Sequence, residues 1–231
     1  MFSTVVLIIT NCEIGWIGGG IHIMNNIGNN MYSPTRYGNG VEVYGGCDNF
    51  IIDNCYVYQC FDAGITNQYQ KGGAEAVVEK NVTFSNNLIE YCCYNIEYFM
   101  GVADTSVTRL LQNVLYENNI LRMAGFGWGR INPTNSANIK GWDHYNMADN
   151  FAIRNNIFDR AYGDLLHIGT QQIGWFPKMS GNTYIQFKES AFGHIGQNAT
   201  TFFIFNGSTA GEIANIMSGD TNNFYFLEPL N

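Results

Sequence analysis

The chain has 231 residues, of which 46% are hydrophobic and only 13% charged, and its formal net charge at pH 7 is −8. Because nucleic-acid binding depends on basic contacts to phosphate, this acidic balance argues against a nucleic-acid partner. The apolar content is too high for a disordered chain, and no apolar run is long enough to span a membrane. The first residues also lack the basic and apolar regions of a signal peptide.

One sequence phrase recurs along the chain and suggests how it is built. Apolar residues two positions apart precede Asn-Asn or Asn-Cys, and further apolar residues follow. The copies occupy residues 7–14, 49–57, 81–89, 113–121 and 150–158, with a degraded copy at 179–184. Their marker asparagines are 43, 32, 32 and 37 residues apart, at Asn11, Asn54, Asn86, Asn118 and Asn155. A repeat of this size indicates one structural module stacked on itself.

Each copy has the two-residue periodicity of a β-strand and is bounded by Asn, Asp and Gly, so the repeats predict strands rather than helices. A second apolar run follows in most copies, and several copies offer a third, such as Val41–Val43. Three short strands per repeat are typical of a parallel β-solenoid, whose repeats stack about 4.8 Å apart. Only residues 211–217 have the pattern of a helical turn. The second runs are Ile21–Ile23, Ile65–Asn67, Ile96–Tyr98 and Leu166–Ile168.

A set of asparagines and cysteines shares one register in the repeats. Stacked amides can pass hydrogen bonds along a solenoid, so the set is a candidate ladder. Alternatively, the asparagines serve only as turn residues that tolerate a left-handed backbone, and both interpretations predict the same fold. The set is Cys12, Cys55, Asn87, Asn119, Asn156 and Asn182.

The phrases resemble those of right-handed parallel β-helix proteins, the pectate-lyase-like superfamily, over roughly residues 5–195. The resemblance implies an all-β, right-handed parallel β-helix of about six coils with loop insertions, and an extracellular or cell-surface location. Residues 196–231 would form a degraded terminal coil or edge of the same single domain. Because the first coil begins within a few residues of Met1, we expect no N-terminal cap and a chain that is a segment of a larger protein.

The six cysteines match neither a disulfide scaffold nor a zinc-binding motif. Cys60 and Cys92 hold equivalent positions in successive repeats, so they should stack on adjacent coils. They would form either a disulfide or a pair of buried free thiols. Ala124 and Ala161 at the matching later positions favour a row of small residues with free thiols.

Polar residues in the second runs predict a column across the coils, on the outer face of one sheet. His22, Glu97 and His167 are candidate acids or bases in that column, and Thr66 shares their register. Trp128 would lie near the intervening coil. The alternative is an ordinary solvated strand face, where polar residues belong in any case.

Two aspartates, Asp62 and Asp164, stand just before these strands and are candidate general acids or bases if they overhang the column. A turn-forming role is the alternative for both. Glycosidase chemistry needs two carboxyl groups, about 5 Å apart for retention and further apart for inversion. Glu97 and Asp62, on neighbouring coils, are the pair that the sequence offers.

The fourth repeat is lengthened by an insertion at residues 126–148 that is rich in aromatic and polar side chains. Aromatic rings stack on sugar faces and polar groups anchor hydroxyls, so the insertion is a candidate substrate-binding loop. An ordinary packed loop is the alternative. The candidate binding residues are Trp128, Arg130, Trp142, His144 and Tyr145.

Residues 38–46 are similar to the Asn-Gly-x-Glu-x-Ile-x-x-Gly stretch of alginate and chondroitin lyases. In those enzymes the glutamate helps to bind calcium, so the similarity implies Glu42 as a Ca²⁺ ligand. Tyr44 stands where that family has an arginine.

These patterns predict a carbohydrate-active β-helix whose partner is a polysaccharide. A hydrolase or lyase would use carboxylate or histidine acid–base chemistry on a glycosidic bond or a C5 proton. The alternatives are a glycan-binding protein without catalytic activity, of the adhesin or tailspike kind, and a structural spacer.

Overall fold

The computed structural model describes residues 6–22, 34–44, 47–71, 79–102, 111–128, 135–142, 149–170, 176–197, 199–217 and 223–228. No helix in this part of the chain has the length and apolarity needed to cross a membrane. The described elements are β1 (Leu7–Thr10), β2 (Glu13–Ile17), β3 (Gly19–His22), β4 (Pro34–Tyr37), β5 (Val41–Tyr44), β6 (Asp48–Asp53), β7 (Tyr56–Cys60), β8 (Ala63–Lys71), β9 (Glu79–Ser85), β10 (Leu88–Glu90), β11 (Tyr94–Val102), β12 (Leu111–Glu117), β13 (Ile120–Ala124), β14 (Ala137–Gly141), β15 (Asp149–Arg154), β16 (Ile157–Ala161), β17 (Asp164–Thr170), β18 (Lys178–Ser180), β19 (Thr183–Phe187), β20 (Ala191–Gln197), β21 (Thr201–Ile204), α1 (Ala210–Ile216) and β22 (Asn223–Leu227).

Three long sheets account for most of the strands. Sheet 1 has the order β1-β6-β9-β12-β15-β18, and sheet 2 has the order β2-β7-β10-β13-β16-β19-β22. Sheet 3 has the order β5-β8-β11-β14-β17-β20, followed by β21. Strands within a sheet pair in parallel, except that β21 is antiparallel to β20. Successive repeats therefore contribute equivalent strands to each sheet, an arrangement consistent with the β-solenoid that the sequence predicted.

The core lies between the inner faces of the sheets, where equivalent apolar positions stack across repeats. Phe84 of β9 and Tyr116 of β12 are register partners, and their rings stack with centroids 4.8 Å apart and planes 2° apart. Phe50, one repeat earlier, meets Phe84 edge-on at 6.0 Å. Because parallel pairing places like residues one above another, a short apolar pattern repeated along the chain becomes a continuous core.

The turn from sheet 1 to sheet 2 uses two residues with different roles. The first is an exposed asparagine with a positive φ, such as Asn118 at 56°, a conformation that asparagine tolerates better than most residues. The second points inward: Asn119 Nδ2 donates to Asn156 Oδ1 at 3.0 Å, and Asn87 Nδ2 donates to Asn119 Oδ1 at 3.0 Å. Asn182 extends the row. The predicted ladder is confirmed for these four asparagines, and the left-handed turn residue precedes it. Cys55 joins it only through its backbone N–H, which donates to Asn87 Oδ1 at 2.9 Å, and the Cys12 thiol donates to the Thr10 carbonyl instead.

The structure corrects the sequence prediction in the first repeat. There the strand of sheet 3 is Val41–Tyr44, not the run at residues 21–23. His22 instead belongs to β3, which pairs antiparallel with β4 in a separate two-stranded sheet. Both strands of this small sheet precede β5 in the chain. The apolar pattern at residues 21–23 therefore belongs to a strand outside the three long sheets.

A second correction concerns the insertion at residues 126–148, which is not a loop throughout. Residues Ala137–Gly141 form β14, a buried strand of sheet 3 between β11 and β17. Ile139 is its only large apolar residue, so the local pattern was too weak to predict a strand.

The cysteines and the short helix agree with the sequence predictions. The cysteines are free, and Cys60 and Cys92 are both buried. Burial beside Cys60 raises the pKa of the Cys92 thiol well above its usual value. The helical turn expected at residues 211–217 is the short helix α1.

Candidate functional site

Six side chains share one register position on the strands of sheet 3. Pairing aligns each of them with the next along the sheet. The preceding residues Ile65, Ile96 and Ile139 belong to the hydrophobic core, so strand alternation puts the six on the outer face. We call this set the polar row: Glu42, Thr66, Glu97, Lys140, His167 and His194.

The middle of the polar row is buried although it lies on an outer face. Lys140 is only 2% exposed and Glu97 only 7% exposed, and Thr66 is also buried. Charged side chains are almost never buried to this degree unless they are paired. A simple solvated strand face, the alternative considered for the sequence, does not describe these residues.

Trp142 covers this part of the row and links its two opposite charges. The residue directly follows β14, and its indole Nε1 donates a hydrogen bond to Glu97 Oε1. Lys140 Nζ lies 4.2 Å from the centre of the same ring, which is cation–π geometry. Trp142, predicted to bind substrate, thus packs directly against Glu97, predicted to be catalytic.

A carboxylate joins the two histidines at the other end of the row. Asp164 Oδ2 lies 2.8 Å from His167 Nδ1 and 2.8 Å from His194 Nδ1. The ring centroids of the histidines are 5.0 Å apart. An ionised carboxylate only accepts hydrogen bonds, so both Nδ1 atoms carry protons and both Nε2 atoms act as acceptors while the rings are neutral.

The electrostatic surroundings keep His167 neutral near pH 7. Burial lowers the pKa of the His167 imidazole, and the charge of Lys140 and the neighbouring His194 act in the same direction. The hydrogen bond and the negative charge of Asp164 oppose that shift without overcoming it. A neutral imidazole with a free Nε2 can accept a proton.

Asp164, His167 and His194 also form the one set of three potential metal-binding side chains found in the described part of the chain. Their donor atoms lie within 4.8 Å of one another. One carboxylate oxygen and two imidazole nitrogens would suit a transition metal. In the present geometry, however, Asp164 satisfies both rings by hydrogen bonding, and we assign the cluster that role.

The remaining predicted site residues lie in several places. Glu42 is exposed at the start of the row and accepts a hydrogen bond from Asn39 Nδ2 at 3.0 Å. Asp62 occupies the turn before β8, where its carbonyl accepts hydrogen bonds from the backbone of Cys93 and Tyr94. Strand pairing aligns Asp164 with Ala63 of β8. Asp62 directly precedes Ala63, so the two aspartates do not occupy equivalent positions.

The other predicted site residues either lie on other parts of the fold or belong to segments that the structure does not describe. His22 lies in the two-stranded sheet, so the structure does not bring it to the row. Trp128 lies after β13, at the corner between sheets 2 and 3. Arg130, His144 and Tyr145 lie outside the described residues.

Sequence reasoning missed Lys140 and His194. Lys140 lies on β14, the strand that the sequence did not predict. His194 had a usable signal, because His194-Ile195 repeats the His167-Ile168 pair of the preceding strand.

Comparisons with known proteins found no counterpart: no family model, no curated protein and no solved structure matches the chain.

Proposed function

We propose that the chain is a right-handed parallel β-helix of about six coils, similar to the pectate-lyase-like superfamily, and that it cleaves an acidic polysaccharide by β-elimination. The strong preference of parallel strand connections for the right hand supports this handedness. The observation that carries the activity is the position of Asp164 Oδ2, 2.8 Å from Nδ1 of both His167 and His194.

In this proposal His167 is the base that removes the C5 proton of a uronic acid residue. Asp164 holds the Nδ1 proton, so Nε2 faces the substrate as the acceptor. The lowered pKa of His167 keeps this nitrogen unprotonated at neutral pH. Asp164 acts as a positioning residue through its hydrogen bonds to both rings.

Lys140 supplies the positive charge that elimination from a uronic acid requires. The C5 proton becomes acidic enough only when the adjacent substrate carboxylate is neutralised. Lys140 is the register neighbour of His167 and is nearly buried, so its charge is poorly screened by solvent. Among the six residues of the polar row, Lys140 is the only lysine or arginine, so it is the group assigned to the substrate carboxylate.

The bond changes balance without water or a redox partner. The C5–H bond breaks toward Nε2 of His167, and its electron pair forms the C4–C5 double bond as the C4–O bond breaks. The leaving oxygen then takes this proton from Nε2 of His167, which returns to its neutral form. Glu97 positions Trp142 against Lys140.

Hydrolysis by a carboxylate pair is the second candidate, but the arrangement favours it less. Such enzymes need two carboxyl groups on either side of the scissile bond. Asp164 is engaged by two imidazoles, and Glu97 accepts the indole N–H of Trp142.

The experiment is incubation of the purified chain with alginate, polygalacturonate and a neutral β-glucan, following ultraviolet absorbance of unsaturated products and new reducing ends. We expect both signals on a uronate polymer, and a loss of at least roughly 100-fold in H167A. D159N is the matched control, because Asp159 pairs with Arg160 on sheet 2 and should leave the rate unchanged.

Three outcomes would contradict the proposal. Reducing ends without unsaturated product would indicate hydrolysis, and glycan binding without any product would indicate a binding protein. Activity that EDTA abolishes and Zn²⁺ restores would assign the Asp164 cluster to a metal instead.

A further inference from the structure

A cluster of aromatic side chains lies at the corner between sheets 2 and 3. Trp16 at the end of β2 and Trp128 after β13 have ring centroids 6.1 Å apart, and Trp16 and Tyr58 of β7 are 6.4 Å apart. These three residues belong to three different repeats and meet only because the repeats stack. We call them the aromatic corner. Trp16 and Tyr58 lie on strands of sheet 2, whereas the polar row lies on sheet 3.

Trp128 is held firmly and still exposed. Its backbone N–H donates to Gln59 Oε1 at 3.0 Å, and its indole N–H donates to the Gln59 carbonyl. Phe61, which is buried, supports the ring edge-on at 5.4 Å. Gly127 allows this close approach, because a Cβ there would lie 1.8 Å from the Tyr91 carbonyl oxygen. The residue is nevertheless 43% exposed.

Trp16 is even more exposed, at 62%, and its orientation is set by the fold. Its φ of 57° is left-handed, which is unusual for a bulky residue. The equivalent positions of later repeats share this conformation but carry other side chains, so the corner imposes the backbone and the sequence places an indole on it. Those positions are Gln59, Tyr91, Met123 and Arg160.

The rim of the corner carries tyrosine hydroxyls and the exposed carboxylate of Glu13. Tyr58 Oη donates to Glu13 Oε1 at 2.9 Å. Tyr56 stacks on Tyr58 with centroids 4.5 Å apart, and its hydroxyl donates to Glu90 Oε1 at 2.6 Å. Fixed, exposed rings with hydrogen-bonding groups beside them complement a sugar ring, which has an apolar C–H face and a hydroxyl edge.

We infer that the aromatic corner binds a neutral polysaccharide with flat sugar faces, such as a β-linked glucan or xylan. The negative charge of the exposed Glu13 disfavours an anionic chain at this corner, and the charge of the buried Glu90 is balanced by its ion pair with Arg122, whereas the polar row favours an anionic chain. The corner is therefore a second glycan site that differs in charge preference from the site of elimination. It stands independently of the elimination chemistry.

The test is affinity electrophoresis of the intact chain in gels containing soluble hydroxyethyl cellulose or xylan. We expect both polymers, or one of them, to retard the parent chain, and W16A and W128A to weaken binding roughly tenfold, the upper range of one ring contact. W16F should retain most of the binding because it keeps a ring. Y225A is the control, because Tyr225 is an exposed aromatic residue of β22.

The outcomes separate this site from the proposed enzyme. D164N should lose elimination activity yet bind the neutral polymers as the parent does. Equal binding by W16A and the parent, with unchanged thermal midpoints, would overturn the inference, as would the absence of retardation in both polymers. A change in oligomeric state of W16A on size-exclusion chromatography would instead make the corner a contact between copies of the chain.

Discussion

At the scale of single residues, the contact between Asp164 and His194 depends on Gly193. A Cβ at this position would lie 2.0 Å from the Leu166 carbonyl oxygen and 2.7 Å from Asp164 Cβ, and the φ of 134° also favours glycine. Any other residue would push β20, and His194 with it, away from the carboxylate.

The sequence identified part of this cluster. Asp164 and His167 stand three residues apart in one strand, so local pattern was enough to select both as candidates. Their contact with His194 joins residues 30 positions apart in the chain. That contact depends on strand register and on Gly193, neither of which a local pattern reveals.

Another residue of interest is Glu79, a fully buried carboxyl at the start of β9. Asn67 Nδ2 donates to its Oε2 at 3.4 Å, and its Oε1 has no hydrogen-bond partner among the described residues. Burial raises the pKa of Glu79 from 4.5 to about 7, while the hydrogen bond from Asn67 opposes the rise.

Glu79 should therefore make folding stability fall as pH rises. The unfolded chain ionises this group from its ordinary pKa of 4.5, whereas the folded chain holds the proton until about pH 7. The resulting loss should be complete above pH 7 and amount to about 3 kcal/mol. E79Q removes the titration, so in urea unfolding it should match the parent at pH 4 and exceed its stability at pH 8. An equal difference between E79Q and the parent at both pH values would contradict this assignment.

At the scale of elements, the two-residue turn between sheets 1 and 2 sets the register of both sheets. The exposed first asparagine supplies the left-handed conformation, and the buried second one joins neighbouring repeats. This turn was predictable because its whole signal lies within one short phrase. The strand β14 was not, because only pairing with β11 and β17 defines it.

Replacement of a ladder asparagine should cost far more stability than replacement of its neighbour. Asn119 Nδ2 donates to the Phe84 carbonyl and to Asn156 Oδ1, and its Oδ1 accepts from Asn87. N119A would leave several buried polar groups unsatisfied, so we expect a loss of about 3 kcal/mol in chemical unfolding.

N118G is the matched control for N119A. Asn118 is exposed with a φ of 56°, which glycine adopts readily, so the change should stay within about 0.5 kcal/mol. Similar losses in the two variants would show that the turn conformation, not the buried amide, provides the stability.

At the scale of the whole molecule, each strand of a sheet is stabilised mainly by its direct neighbours. Strands within a sheet, such as β9 and β12, have partners on both sides, whereas β1 has a described partner on one side only. Leu7 and Ile8 of β1 are also about half exposed. A stack of this kind should open from its ends.

Hydrogen exchange should show this gradient of stability. Amides of Val82 and Phe84 in β9 should exchange at least roughly tenfold more slowly than those of Leu7 and Ile8, after correction for intrinsic rates. Mass spectrometry of peptides that cover each strand would measure the difference. Uniform protection along the chain would mean that the molecule opens as one cooperative unit.

The ladder has a consequence for how such a protein can diversify. The hydrogen bond between Asn87 and Asn119 spans 32 residues and the one between Asn119 and Asn156 spans 37, yet both measure 3.0 Å. The longer interval contains the segment that carries Trp128. Extra residues at a corner thus leave the stacking frame intact, so new recognition segments can be grafted there while the acid–base cluster keeps its geometry.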